Sequence, residues 1–381
     1  MTSNIPTGTT YSVYDGNIEK ITPKQNFINN GTLQIGVYFT HGEVDNYGQF
    51  QNFGNINLGP ALTVAGYSKF YNEGHLNMHD SNKKGVNTML YISHDGQFYQ
   101  KSGGSAYVVG SHNNGWLGGV QNYGLMDFAS TAGDFILGKQ VDYEKGTFGE
   151  LTNGGTITLD SKMIIANDSE VINNGSFTIG NNGSLVATGV DSGVLENTGS
   201  GYIVNKGKLE SKNPNLLINN GTIDSTFGSF DWHNTRGSGK FIGPTEYSGK
   251  LSPGNSAGGL YFDGDLTLQA GAVKVIELSG DSDFGRDRIN SEHDFIDVTG
   301  DLIINGGELN VSLIDGFELS LDQEFIIAKI DGELTGTFDG LEQGASVGKF
   351  DSIFGEMEMN LFINYAAGDG NDIALSTSQI F

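Results

Sequence analysis

The feature that most constrains the fold is the tripeptide Asn-x-Gly, which recurs throughout the first 245 residues. Thirteen copies begin at Asn29, Asn46, Asn52, Asn57, Asn72, Asn113, Asn122, Asn153, Asn173, Asn181, Asn197, Asn205 and Asn219, and one more begins at Asn305. The flanking residues alternate between apolar and polar, as in VINNGSFTIG at 171–180. Because Asn and Gly adopt positive φ at little cost, we expect each copy to form a tight corner that leads into a short strand.

A single corner with its strand cannot bury an apolar face, whereas stacked copies can bury a continuous one. The intervals between successive copies vary from 5 to 41 residues. A right-handed parallel β-helix with coils of about 20 residues tolerates this irregularity, because loops can leave the corners without disturbing the stacked strands. An antiparallel sandwich or a propeller is less consistent with the pattern, which lacks frequent two-residue hairpins and a 40-residue blade signature.

Composition supports a fold made of strands. Gly accounts for 58 residues and Pro for only 6, and the apolar residues include 23 Phe and 15 Tyr. No segment shows a sustained 3.6-residue apolar period, so we expect almost no helix. The sequence therefore predicts an all-β chain, a right-handed parallel β-helix or β-solenoid with a C-terminal β cap.

The charge is strongly acidic and unevenly distributed. Lys and Arg total 20 against 45 Asp and Glu, and no basic surface is available for a polyanion, so nucleic acid is excluded as an expected partner. Residues 246–381 carry 25 acidic and 6 basic side chains, whereas residues 1–245 carry 20 and 14. We therefore predict two segments: a β-solenoid with Asn-x-Gly corners at 1–245 and an acidic segment at 246–381.

The chain contains no Cys, which excludes disulfides and thiolate metal sites. Its first residues lack a basic stretch followed by an apolar one, and no run of about 18 apolar residues occurs anywhere. We expect a soluble chain without a transmembrane segment, and any export by another signal or by a leader that this sequence does not include.

Several motifs after residue 249 carry a resemblance to a known family. They are LSPGNS at 251–256, GDL at 264–266, DFIDVTG at 294–300, GELNV at 307–311 and GTF at 336–338. This segment closely resembles the C-terminal part of the passenger β-helix of bacterial autotransporters and related pectin-lyase-like surface proteins. The resemblance implies a β-helical protein that is extracellular or on a bacterial cell surface. FIIAKI at 325–330 and MNLFINYAA at 359–367 are typical of closing strands in a cap. The chain departs from the family in one respect, since it lacks a block of about ten amphipathic membrane strands.

Enzymes, adhesins and inert stalks all share this type of fold, so function needs further argument. Open strand edges at the ends of a solenoid favour association, and no capping helix is evident in the N-terminal sequence. We expect a non-enzymatic extracellular structural protein, an adhesin, a surface-layer component or a self-assembling filament subunit. Its partner would be another copy bound head to tail, a surface polysaccharide or a host surface. The alternative is a β-helix protein that binds or cleaves polysaccharide.

The densest group of charges lies in SGDSDFGRDRINSEHD, at 279–294. It contains Asp281, Asp283, Arg286, Asp287, Arg288, Glu292, His293 and Asp294. Clustered Asp residues or a basic residue could act as acid and base on a polysaccharide. We interpret the segment as a solvated loop whose charges pair locally, and we assign no catalytic residue.

The tail resembles one copy of the calcium-binding Gly-x-Gly-Asn-Asp repeat of secreted proteins, at 368–372. That resemblance makes Asp369, Asn371 and Asp372 candidate calcium ligands, against the simpler interpretation of an Asp-Gly turn. No other cofactor is expected.

Three further patterns point to surface functions that we consider weaker. His75 and His79 lie four residues apart with Asp80 adjacent; in a strand this spacing puts the two histidines on the same face but does not make the helical chelate. Thr156-Ile157-Thr158 is a single match to an ice-binding face. Residues 80–150 are the least regular and would be the place for a binding surface, although their aromatics are more typical of ordinary core and corner positions. Those aromatics are Tyr107, Trp116, Tyr123 and Tyr143.

Overall fold

A computed structural model describes residues 2–5, 10–13, 19–21, 26–29, 32–35, 38–41, 49–58, 61–64, 69–78, 89–92, 97–102, 105–108, 115–117, 119–128, 134–137, 149–166, 168–188, 193–211 and 215–379. The chain forms two compact units, Met1–Asn215 (unit 1) and Leu216–Phe381 (unit 2). The boundary at 245, which charge suggests, stays a prediction.

Unit 1 is a stack of coils, each with three short strands, and its described strands form three parallel sheets. Sheet A consists of β1 (Thr2–Ile5), β4 (Asn26–Asn29), β7 (Gln49–Asn52), β10 (Lys69–Asn72), β13 (Gln97–Gln100), β16 (Gly119–Asn122), β19 (Glu150–Asn153), β22 (Glu170–Asn173) and β25 (Val194–Asn197). Sheet B consists of β2 (Thr10–Val13), β5 (Thr32–Ile35), β8 (Asn55–Leu58), β11 (His75–Met78), β14 (Ser105–Val108), β17 (Leu125–Phe128), β20 (Thr156–Leu159), β23 (Ser176–Ile179) and β26 (Tyr202–Asn205). Sheet C consists of β3 (Glu19–Ile21), β6 (Tyr38–His41), β9 (Ala61–Val64), β12 (Met89–Ile92), β15 (Gly115–Leu117), β18 (Phe135–Leu137), β21 (Lys162–Ile165), β24 (Ser184–Ala187) and β27 (Lys208–Ser211).

The strands form where apolar and polar residues alternate, because the two side-chain directions of a strand then face the interior and the solvent. In β20, Ile157 and Leu159 are fully buried while Thr156 and Thr158 face outward. Equivalent residues of successive coils pair in register, so like side chains stack on one another. Phe50, Phe70 and Phe98 stack in the interior with ring centroids 4.6 and 5.4 Å apart. The predicted all-β solenoid is therefore confirmed, and its handedness stays a prediction.

Where the structure describes their side chains, the asparagines that end the strands of sheet A point into the interior and bond to one another. Asn122, Asn153 and Asn173 are fully buried. The Asn122 amide donates to Oδ1 of Asn153 at 2.8 Å, Asn153 donates to Asn173 at 2.8 Å, and Asn173 donates to Asn197 at 2.9 Å. We call this column the amide ladder. Two earlier coils have the same bond: the Asn52 amide donates to Oδ1 of Asn72 at 2.6 Å.

The ladder also fixes the corners at Asn122 and Asn153, because Oδ1 of each asparagine accepts the N–H of the glycine two residues later. This bond measures 3.2 Å from Gly155 to Asn153. A ladder position need not be Asn: Gln100 occupies one and accepts the Asn72 amide at 2.8 Å. Bonded neighbours are 20 to 31 residues apart along the chain, which confirms that coils of about 20 residues carry insertions.

The expectation that these corners use positive φ is wrong for the described corner glycines of unit 1. Gly74, Gly155 and Gly175 do not have left-handed φ. The corners instead require glycine because successive coils stack directly on one another. A Cβ on Gly175 would lie 2.2 Å from the carbonyl oxygen of Gly155, and one on Gly74 would lie 2.0 Å from that of Gly54. Close packing between coils selects glycine here, which is its other common role.

Unit 2 also contains parallel sheets. Sheet D consists of β28 (Leu216–Asn219), β31 (Asn234–Gly237), β34 (Lys250–Pro253), β37 (Val273–Leu278) and β40 (Glu308–Leu313). Sheet E begins with β29 (Thr222–Asp224), β32 (Lys240–Ile242), β35 (Gly259–Asp263), β38 (Phe295–Val298) and β41 (Glu324–Ile330). Sheet F consists of β33 (Thr245–Tyr247), β36 (Leu266–Leu268), β39 (Leu302–Asn305) and β42 (Leu334–Thr337), and β30 (Ser229–Asp231) is a further strand.

A cap of antiparallel strands ends the parallel order in sheet E. The cap consists of β43 (Ser346–Ser352), β44 (Gly355–Ala367) and β45 (Asp372–Ser376). Strand β41 pairs in parallel with β38 on one edge and antiparallel with β45 on the other, and β45 pairs with β44. The predicted C-terminal β cap is confirmed, with FIIAKI in β41 and MNLFINYAA in β44. Among the described residues, no helix has the length and apolarity that a membrane span requires.

Candidate functional site

A polar cavity of unit 2 lies on the outer face of sheet E. Tyr261, Asp297 and Lys329 form a row across β35, β38 and β41, because Tyr261 is the register partner of Asp297 and Asp297 that of Lys329. Together with Arg286, Thr299 and Asp331 they line a cavity of about 230 Å³. We call it the sheet E cavity. Residues that are more than thirty positions apart in the sequence thus meet at one place.

Arg286 builds one wall of this cavity and ties the 279–294 loop to the sheet. Its Nε and Nη2 donate to Oδ1 of Asp297 at 2.9 and 2.6 Å, and Nη1 donates to the carbonyl oxygen of Ile326 at 2.8 Å. The guanidinium also lies 3.9 Å from the centroid of the Phe295 ring. With this many partners Arg286 is a fixed structural element, and its charge is offset by Asp297.

A second ion pair offsets another charge at the edge of the cavity. Lys240 lies 2.7 Å from Asp263, and its ammonium stands over the Tyr261 ring at 5.1 Å from the centroid. The hydrogen bond from Lys240 lowers the pKa of Asp263. Among the described residues, Lys329 and Asp331 form no such ion pair. One ammonium and one carboxylate therefore remain to meet a ligand.

Beneath the loop, three ionisable side chains are buried. Asp294 is fully buried and accepts the N–H groups of Gly258 and Glu277 at 2.9 and 3.0 Å. Burial raises its pKa to about 8. Burial lowers the pKa of Lys274 to about 7, since the ammonium loses its hydration and Nζ has no hydrogen-bond partner in the described structure. Burial also lowers the pKa of His293.

The charged loop predicted at 279–294 is only partly solvated. Two of its charges pair locally, as expected, because Arg286 lies 3.7 Å from Asp283. Other carboxylates bond to the backbone: Asp287 accepts the N–H groups of Ile289 and Asn290, and Glu292 accepts the N–H of Ser282 at 3.1 Å. Asp283 accepts from Gly285, Asp281 from the amide of Gln323, and Arg288 donates to the carbonyl oxygen of Gly239. His293 and Asp294 lie in the interior, which differs from the interpretation of the whole segment as a solvated loop.

The predicted calcium ligands lie in the turn between β44 and β45. Oδ1 of Asp372 accepts the N–H of Ile330 at 2.8 Å, and burial raises the pKa of its carboxyl. Asn371 donates to the carbonyl oxygen of Gly332 at 2.5 Å, and Asp369 is exposed. In the part of the chain that the structure describes, no group of three or more His, Asp or Glu has a metal-binding arrangement. The calcium assignment stays a prediction.

The other sequence patterns fall in unit 1, and only some of their residues are described. His75 is exposed at the start of β11, whereas His79, Asp80 and Tyr143 lie outside the described residues. Tyr107 and Trp116 lie in β14 and β15. Thr156 and Thr158 face outward from β20.

The described aromatics on the outer face of sheet A pack against the protein itself. Tyr71 and Tyr99 stack with centroids 4.8 Å apart, and the Lys101 ammonium lies 5.4 Å from both centroids. Tyr123 is 46% exposed and covers Gly154, where a Cβ would meet its ring at 2.9 Å. These contacts give the aromatics a structural role along the stack.

The comparisons add no family assignment. No protein-family model matches the chain, and a search of curated proteins finds no match. Sequence reasoning did not find Tyr261, Lys329 or Asp331, because their pairing depends on the coil register. It could have found Lys274, which has the same parity as the buried Ile276 and Leu278 in β37.

Proposed function

We propose that this chain is a non-enzymatic, extracellular structural protein of a bacterial surface, an adhesin-like β-solenoid. Surface-layer and filament subunits belong to the same class. The observation that supports it most is the amide ladder of unit 1, which bonds coil to coil inside the core. A protein that serves as a scaffold needs cohesion along its stack, and this ladder supplies it in the buried interior.

Burying a column of polar amides costs desolvation free energy, which the hydrogen bonds between coils must offset. Buried amides must be fully hydrogen-bonded to avoid a penalty of about 1–3 kcal/mol for each orphaned group. In the described corners they bond to the next coil and to their own backbone. This adds directional bonds to the stacking of apolar side chains, so each coil fixes the register of the next. The resemblance of residues 249–338 to autotransporter passengers supports a surface location.

Attachment is the direct test of this role. Beads that carry the purified folded chain should adhere to host epithelial cells or to a bacterial polysaccharide film, whereas beads that carry the heat-unfolded chain should not. Light scattering and electron microscopy of the same preparation, with and without calcium, test the filament version. Failure of adhesion together with a monomeric chain at high concentration contradicts the proposal.

A screen for turnover separates this role from catalysis. The chain should release no new reducing ends and no unsaturated products from neutral or uronate-containing polysaccharides. Release of either product that depends on folded chain shows that the protein is an enzyme.

A further inference from the structure

The sheet E cavity combines one aromatic wall with two free groups of opposite charge. Tyr261 supplies the aromatic surface, Lys329 can donate hydrogen bonds and the Asp331 carboxylate can accept them. The other polar groups at the cavity are already committed. Oγ1 of Thr299 accepts the N–H of Gly264 at 3.0 Å and lies 3.3 Å from Oδ1 of Asp263.

The charges at the cavity select a neutral ligand. Arg286 pairs with Asp297 and also lies 3.7 Å from Asp283, and Lys240 pairs with Asp263, so neither of these cations is left unpaired. Lys329 and Asp331 add one charge of each sign. The surrounding segment, residues 246–381, is strongly acidic and repels anions. A ligand with several hydroxyl groups can accept from the ammonium and donate to the carboxylate without any net charge.

The volume limits the ligand to about one ring. Pockets for drug-sized molecules occupy roughly 300–1,000 Å³, whereas this cavity measures about 230 Å³. A sugar ring fits these requirements, since its C–H face packs on an aromatic side chain and its hydroxyls both donate and accept.

We propose that the sheet E cavity binds one neutral pyranose unit of a glycan, with the sugar beside Tyr261 and its hydroxyls bonded to Lys329 and Asp331. Arg286 and Asp297 position the wall of the cavity and leave the ligand contacts to the other side chains. This binding site goes beyond the proposed structural role and does not depend on it, because a surface scaffold needs no sugar cavity.

The experiment measures sugar binding by saturation-transfer NMR on the full chain. The probes are the methyl glycosides of glucose, galactose, mannose, N-acetylglucosamine and glucuronate, at concentrations on the order of 10 mM, since single sugars that make few contacts bind in the millimolar range. The variants are Lys329→Met, Asp331→Asn and Tyr261→Ala. The matched controls are Lys349→Met and Asp351→Asn, which make the same chemical changes on the exposed positions of β43.

At least one neutral glycoside should bind the natural chain, and glucuronate should bind more weakly than glucose. Lys329→Met and Asp331→Asn should each weaken binding about tenfold, Tyr261→Ala should weaken it at least as much, and the two controls should leave it unchanged. Circular dichroism of each variant confirms the fold before binding is measured. The proposal is overturned if no neutral glycoside binds, if glucuronate binds more tightly than glucose, or if the cavity variants bind as the controls do.

Discussion

Replacing Asn153 with alanine tests whether the amide ladder holds the coils together. This side chain takes part in four hydrogen bonds: it donates to Asn173 at 2.8 Å and to the carbonyl oxygen of Ser176 at 3.0 Å, and it accepts from Asn122 and Gly155 at 2.8 and 3.2 Å. Each such bond contributes about 0.5–1.5 kcal/mol net. Alanine removes all four.

The loss is greater than a sum of average bonds because the buried Asn173 and the half-buried Gly155 each lose a partner without replacement. Oδ1 of Asn173 loses its donor and the N–H of Gly155 loses its acceptor, whereas Asn122 keeps a bond to the carbonyl oxygen of Thr156 at 3.0 Å. An orphaned buried polar group costs about 1–3 kcal/mol. We therefore expect Asn153→Ala to lower the free energy of unfolding by about 2–5 kcal/mol.

Urea titration followed by far-ultraviolet circular dichroism measures this change. The matched control is Asn174→Ala, one residue later in the same corner. Asn174 is exposed, and its side chain accepts a single bond from the Thr198 hydroxyl at 2.8 Å. The control should change stability by no more than about 0.5 kcal/mol. Equal effects of the two substitutions would refute the ladder as the source of cohesion.

Three further substitutions test packing and buried charge. Gly175→Ala should destabilise the chain by several kcal/mol, or prevent soluble expression, because its Cβ would lie 2.2 Å from the Gly155 carbonyl oxygen; a stability equal to that of the natural chain contradicts direct coil contact. Phe70→Ala should cost about 3–5 kcal/mol in urea unfolding, since the ring stacks between two others in the core; a loss under 1 kcal/mol refutes that packing. Lys274→Met should stabilise the chain by roughly 1–4 kcal/mol at pH 7, because it removes a buried amine without a hydrogen-bond partner. The pKa of Lys274 is about 7 in the folded chain and 10.5 in the unfolded one, so its unfavourable contribution grows as pH falls from about 10.5 to about 7, and the advantage of the methionine variant should grow over the same window; an advantage that is constant with pH contradicts the burial of the amine.

The fold could be predicted from the sequence because one corner motif marks each coil and the alternation marks each strand. The physical reason for the motif could not, since Asn-x-Gly is equally consistent with positive φ and with tight packing. Only the stacked coils show that the carbonyl oxygen of Gly155 occupies the place where a Cβ of Gly175 would lie. Gln100 also shows that a ladder position is defined by an inward amide and not by the motif.

The candidate site depends on long-range register, which a single sequence does not contain. Tyr261 and Asp297 become neighbours only because β35 and β38 pair in a register that places these two residues opposite each other. The charged loop could be identified in the sequence. The burial of Asp294 could not, because its carboxylate accepts two backbone N–H groups from other parts of the chain. Local composition identified the segment, and tertiary contacts decided which of its charges are solvated.

The most direct test of the account is a cross-link between successive coils. The chain has no Cys, so Thr152→Cys with Ile172→Cys introduces the only two thiols, on outward-facing register partners in β19 and β22. Neighbouring strands lie about 4.8 Å apart, so dibromobimane should bridge the two thiols and become fluorescent. The control pair is Lys162→Cys with Ile172→Cys, which is closer in the sequence but lies on sheets C and A. A fluorescent bridge is expected in the first pair and none in the second, and the opposite result would contradict the stacked-coil register.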